Sequence, residues 1–85
     1  MVIDNVGNGI VISSPKWGIK SSTLTGNGLD PLAPECTDPT ILGFGGAAGC
    51  GDIRSEYTPK IDTATLCDTS VDATTGSSWG ICTLD

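Results

Sequence analysis

Two runs of β-branched residues open the chain, Val2-Ile3-Asp4-Asn5-Val6 and Ile10-Val11-Ile12-Ser13, with Gly7-Asn8-Gly9 between them. Branching at Cβ suits a pleated, half-buried surface, and Asn-Gly accepts the positive φ of a tight reversal. The pattern predicts an N-terminal β-hairpin over residues 1–14. Trp17 to Thr25 reads as a third strand, beginning after Pro15 and ending at a second Gly-Asn-Gly, Gly26-Asn27-Gly28.

Residues 29–39 carry Pro31, Pro34 and Pro39 among acids and are expected to form an irregular proline loop. Thr40-Ile41-Leu42 with Phe44 reads as a short strand. Residues 43–51 hold five glycines and two alanines, a glycine loop around Cys50. Ile53–Thr58 and Thr63–Cys67 are further strands separated by Pro59, 68–78 a polar Thr/Ser/Asp loop, and Trp79–Leu84 a closing strand. The expected architecture is all-β: one domain over residues 1–85, a small sandwich or partly open barrel of about six short strands with Gly/Pro-rich loops. Ser13-Ser14-Pro15-Lys16-Trp17-Gly18-Ile19 is echoed by Ser77-Ser78-Trp79-Gly80-Ile81, as though two segments did the same packing job.

Length changes this picture by limiting stability. Eighty-five residues leave much surface exposed even when folded, so such a domain relies on disulfides, metals or subunit contacts. Charge narrows the partners. Ten acids against Lys16, Lys20, Arg54 and Lys60 give a net charge of −6, which offers no phosphate-neutralising stripe and no polybasic patch for anionic membranes. Neither nucleic acid nor membrane insertion is expected; no apolar run approaches the roughly 20 residues of a span, and Met1 to Asn5 lacks the basic start of a secretory signal.

Cys36, Cys50, Cys67 and Cys82 are the main candidate chemistry. Zinc sites use closely spaced ligand pairs, and these cysteines have neither close spacing nor a histidine beside them, so no metal is expected. Disulfides carry no such spacing demand, and all four are disulfide candidates. Three intrachain pairings and pairing between subunits stay open. A catalytic thiol at Cys50 would need a base and a lowered pKa, yet histidine is absent and the surroundings are acidic.

The absence of histidine also removes Ser-His-Asp hydrolysis. Ser13-Ser14-Pro15-Lys16 matches S-x-x-K, but Pro15 spoils the helix that motif requires. Gly43-Phe44-Gly45-Gly46-Ala47-Ala48 fits a dinucleotide fingerprint without the following helix. Asp62, Asp68 and Asp72, or Asp30, Glu35 and Asp38, lack EF-hand spacing and read as solvated acids. Trp17, Phe44, Tyr57 and Trp79 are expected to supply the bulk of the core.

No catalytic residue, cofactor or metal is therefore assigned. The expected function is that of a structural or assembly subunit, or decoration module, of an extracellular or virion-type particle (capsid, tail or pilus-like filament). Its partners would be copies of itself or other subunits, met through Val2, Ile3, Val6, Ile10 and Ile12. The alternative is a secreted, disulfide-stapled module that binds carbohydrate or protein.

Overall fold

The computed structural model describes residues 1–5, 7–30, 32–38, 40 and 46–85, the Glu35 side chain excepted. Its eight short strands run β1 (Val2–Ile3), β2 (Ile10–Ile12), β3 (Gly18–Ile19), β4 (Thr23–Thr25), β5 (Ile53–Ser55), β6 (Lys60–Ile61), β7 (Leu66–Cys67) and β8 (Ser70–Asp72). Every pairing is parallel. β1-β4-β7 form one sheet, β2-β5-β8 a second and β3-β6 a third. The chain visits the three sheets in turn and returns to the first, so the architecture is a short three-sided β-coil, a parallel β-helix of not quite three turns.

The all-β class expected from composition is what the structure shows, but the local pairing differs. β1 and β2 lie where the N-terminal hairpin was expected, yet they belong to different sheets. The intervening Gly-Asn-Gly turns a corner of the coil rather than reversing the strand. The supposed strand Trp17–Thr25 is two strands, β3 and β4, broken at a corner where Ser21 has φ 48°. The polar run 68–78 contains β8, and Trp79–Leu84 is not a strand. The proline loop holds one helical turn, α1 (Pro34–Thr37), with proline at its start, where its missing N–H costs nothing. The short strand expected at Thr40–Phe44 falls largely outside the described residues.

The core is aliphatic. Ile12, Ile19, Leu24, Ile53 and Cys67 form it, with Val2, Ile10, Ile61, Ile81 and Cys82 packed around them. Register explains the composition: Val2, Leu24 and Cys67 stack in the first sheet, and Ile10, Ile53 and Ser70 in the second. Strands of two or three residues admit about one inward side chain per coil and side, too narrow a space for rings. The expected aromatic core is accordingly absent among the described residues: Trp17 is 65% exposed, Tyr57 is 46% exposed, and Trp79 is half-buried at the edge. The Trp-Gly-Ile echo has a modest counterpart, since Ile19 and Ile81 both pack on this core.

The corner between the first and second sheets carries a polar column along the coil. Asn5 donates its N–H and Nδ2 to Asn27 Oδ1, at 3.0 and 2.8 Å. Asn27 in turn donates its N–H and Nδ2 to Asp52 Oδ1, at 3.0 and 2.8 Å. Asp52 Oδ2 accepts from the N–H groups of Asp68 and Thr69. Asn27 and Asp52 are essentially inaccessible to water, so each hydrogen bond replaces one that solvent would have made.

Gly26 and Gly28 bracket this column with φ of +70° and +67°. A Cβ on Gly26 would lie 2.5 Å from Asp4 Oδ1, and one on Gly28 would lie 2.5 Å from Cys50 Cβ. The left-handed backbone favours glycine at both positions, and at Gly28 the disulfide-bonded Cys50 and the Gly51 backbone leave no space for a side chain either. Asp4, one register step from Gly26, has φ 56°, so the same left-handed corner precedes Asn5 and Asn27.

That corner is also where length varies. Register-matched Val2 and Ile10 are eight positions apart, Leu24 and Ile53 twenty-nine, and Cys67 and Ser70 three. The long excursion includes α1 and the Cys36–Cys50 disulfide. It folds back over the outer face of β5, where the buried Arg54 donates to the carbonyls of Gly49 (2.9 Å) and Ala47 (2.7 Å).

Candidate functional site

In a parallel strand, successive residues direct their N–H and C=O groups alternately to the two neighbours. At β2, Ile10 N–H donates to Asp52 O, and Ile12 O accepts from Glu56 N–H, so both residues face β5. Alternation turns the Val11 N–H and C=O to the other side. β1 and β3 are likewise the first members of their sheets, and among the described residues no segment pairs with the outer edges of β1, β2 or β3. The first coil thus presents three backbone edges on one end of the molecule.

Beside the edges of β2 and β3 lies a groove of about 550 Å³ whose lining includes Ile10, Ile12, Trp17, Ile19 and Lys20. Ile12 and Ile19 are the outermost layer of the core, so the groove opens into apolar interior. Its rim carries the exposed indole of Trp17. Charge sets this end apart as well. Residues 1–22 hold Asp4, Lys16 and Lys20, a side-chain balance of +1. Residues 23–85 hold nine acids, Arg54 and Lys60, a balance of −7.

The opposite end is closed by the chain itself. Thr83 N–H donates to Cys67 O at 3.0 Å, and Leu84 N–H to Asp68 O at 2.7 Å, which occupies the outer edge of β7. The outer N–H groups of β8 are taken by Asp85 Oδ1, from Ser70 at 2.8 Å, and by Ser77 O, from Asp72 at 2.7 Å. Asp85 Oδ2 also accepts from the N–H groups of Ile81 and Cys82 and from Ser70 Oγ. Burial acts to raise the Asp85 pKa, but the bonds from Ser70 and Cys82 outweigh it and hold the carboxyl below its usual range. The Cys67–Cys82 disulfide locks this cap.

All four cysteines are thus paired within the chain, Cys36 with Cys50 and Cys67 with Cys82, and neither bond links subunits. Of the expected contact residues, Ile10 and Ile12 line the groove, Val2 and Ile3 form β1 beside it, and Val6 lies outside the described residues.

Among the described residues the acidic candidates do not converge. Asp62 accepts from Ser21 N–H and Thr65 Oγ1, and Asp72 from Thr74, bonds that lower both pKa values with Thr65 and Thr74 the leading causes. Among the described residues no three metal-ligating side chains are grouped. Ser13 and Lys16 of the S-x-x-K match lie in exposed chain, where Lys16 N–H bonds Ser14 Oγ. The part of the glycine loop that is described packs on Arg54. Among the described residues no helix is long and apolar enough to cross a membrane.

Composition and motif scanning missed the polar column and the closed cap. The register of Asp4-Asn5 against Gly26-Asn27, 22 positions apart, was the signal that could have revealed the coil. Set against family models, curated proteins and solved structures, the chain finds no match in any of the three.

Proposed function

We propose that the chain is a structural subunit or decoration module of an extracellular or virion-type particle, and that the open end of its coil is the attachment point. The observation that supports this most directly is the asymmetry of the ends: β7 and β8 have their outer edges occupied, while β1, β2 and β3 offer theirs. Exposed strand edges are templates for strand addition, and an apolar groove beside two of them supplies area to bury. Two intrachain disulfides fit an oxidising destination and make the module durable there. Binding is the work of this surface, and no reacting group is assigned to it. Fractionation of native material tests the reading. Recovery of the chain with sedimenting particles, resistant to mild salt, is the expected outcome; recovery only as free protein would overturn it.

One observation favours a second reading, a carbohydrate-binding module. Trp17 is 65% exposed on the groove rim, the placement of a ring on which a sugar face stacks. Titration with soluble glycans, read by tryptophan fluorescence in the parent and in Trp17→Ala, separates the two. Saturable quenching that disappears in the variant would establish the module as glycan-binding.

A further inference from the structure

We infer that Asn8 is a self-modification site: the backbone nitrogen of Gly9 converts its side-chain amide to aspartate and isoaspartate, while the fold holds the same sequence at Asn27 inert. The inference stands apart from the attachment reading. The chain contains Gly-Asn-Gly twice, at Gly7-Asn8-Gly9 and Gly26-Asn27-Gly28. An asparagine before glycine is the pair in which the backbone nitrogen most readily reaches the side-chain carbonyl, because glycine has no Cβ to obstruct ring closure. Space demands both glycines. A Cβ on Gly9 would lie 2.6 Å from Asp52 O, and one on Gly28 would lie 2.5 Å from Cys50 Cβ. The fold thus keeps two labile pairs and treats them differently.

At Asn27 both ends of the amide are held. Oδ1 accepts from the N–H and Nδ2 of Asn5, and Nδ2 donates to Val2 O, Thr25 O and Asp52 Oδ1. The residue is 1% exposed. Losing Nδ2 as ammonia there would break three hydrogen bonds and set a carboxylate against Asp52. At Asn8, Nδ2 is shielded from solvent and has no hydrogen-bond partner among the described residues, so its departure breaks none. Asn8 Oδ1 accepts from Gly51 N–H at 2.9 Å, a donor placed on the oxygen where negative charge develops. Against reaction stands the bond from Gly9 N–H to Gly51 O at 3.2 Å, in a half-buried corner that opens locally without unfolding the coil.

Hydroxide takes the Gly9 N–H proton, and the nitrogen attacks Asn8 Cγ. The new C–N bond closes a cyclic imide as the Cγ–Nδ2 bond breaks, and Nδ2 leaves as ammonia with a proton from water. Water then opens the imide, its hydroxyl adding to one carbonyl carbon and its proton going to the released nitrogen. Opening at the side-chain carbonyl gives aspartate. Opening at the backbone carbonyl gives isoaspartate, with one extra methylene in the main chain; neither route involves oxidation or reduction. Aspartate places a carboxylate oxygen where the unpartnered Nδ2 stood, shielded and with no donor to meet it, which loosens the corner between β1 and β2. Either product takes the net charge one unit below −6.

Peptide mapping of the purified full chain, aged at mildly alkaline pH with and without urea, provides the test. After reduction, trypsin places Asn8 in peptide 1–16 and Asn27 in peptide 21–54, and fragmentation tells Asn8 from Asn5. In the folded chain Asn8 should convert at least about tenfold faster than Asn27, whose access needs the coil to open. In urea the two should convert at rates within about twofold of each other, since both have glycine on either side. Asn8→Gln, whose longer side chain closes the imide poorly, should abolish conversion at this position with circular dichroism unchanged. Asn8→Asp should speed hydrogen exchange at Ile10, which leaves that corner; unchanged exchange would overturn the stated effect on the fold. Equal rates at the two sites in the folded chain, or faster conversion of Asn27, would overturn the inference. So would an Asn8 that survives folded for a period that exhausts both sites in urea.

Discussion

The two ends of this coil are built from the same kind of strand and finished in opposite ways. At one end, residues 77–85 occupy the backbone edges of β7 and β8, Asp85 binds four donors, and a disulfide holds the arrangement. At the other, β1, β2 and β3 expose their edges, an apolar groove lies between β2 and β3, and the first coil contains no cysteine. Solenoids bury a continuous core by stacking and need their terminal turns capped. Here residues 77–85 supply one cap, and among the described residues nothing pairs with the outer edges at the other end.

That contrast can be broken most severely at Asp52. Asp52→Ala leaves the N–H groups of Asn27, Asp68 and Thr69 without their acceptor in a buried position, while Asn27 Nδ2 keeps the carbonyls of Val2 and Thr25. Its expected cost is on the order of 4 kcal/mol, read as a shift in the urea midpoint at constant slope. An unchanged midpoint would mean that the column contributes little to the fold.

Next in size is the loss of the cap's disulfide. Cys67→Ser with Cys82→Ser releases a closure of 15 positions and should cost about 3 kcal/mol. Cys36→Ser with Cys50→Ser spans 14 positions and should cost a similar amount. Hydrogen exchange distinguishes them. The first pair of substitutions should speed exchange at Ser70 and Asp72, whereas the second should leave those amides protected.

Asp85→Ala is expected to cost about 1 kcal/mol, because the carboxylate is partly exposed and water replaces some of its donors. Its acid response has a definite sign. The folded-state pKa lies below the unfolded value near 3.8, so the contribution is complete above that value and is lost as pH falls through the folded one. Exchange at Ser70 should therefore accelerate below about pH 4 in the parent and lose that component in Asp85→Asn.

The smallest effect belongs to the open end. Asn5→Ala removes one of two donors to Asn27 Oδ1, the backbone N–H of residue 5 keeping the other, and should cost about 1 kcal/mol or less. A cost equal to that of Asp52→Ala would show that the open end is as tightly held as the closed one.

Much of the local structure was legible in the sequence, but its connectivity was not. Ile10–Ile12 announces a strand by its branched residues and is one, and the strand expected over Ile53–Thr58 forms over its first three residues, Ile53–Ser55. Asn-Gly announces a turn, and a turn is there. What propensity cannot say is whether the chain reverses beside itself or moves on to another face; at this first corner the left-handed residue is Asp4, with φ 56°, and neither Gly7 nor Gly9. The decisive groups are Asn27 and Asp52, polar residues whose burial depends on partners 22 to 25 positions away. Ser70-Val71-Asp72 was hidden for a related reason, since its serine and aspartate satisfy edge and corner contacts rather than core packing. The aromatic residues misled by volume: a narrow coil takes isoleucine inside and leaves Trp17 on the rim. As for the candidate site, apolarity and position alone made Ile10 and Ile12 contact candidates, and the groove that they line needed the coil to be seen.

The excursion between Gly28 and Gly51 leaves and re-enters the coil almost at one point, as a Cβ on Gly28 would lie 3.0 Å from Gly51 N. Its length is therefore decoupled from the spacing of the coils, which are held in register by Asn27 and Asp52 on either side of it. Such a doorway makes the corner a natural graft point. A foreign peptide with neighbouring ends, substituted there, would be displayed on the flank of the coil, outside the open edge and outside the cap.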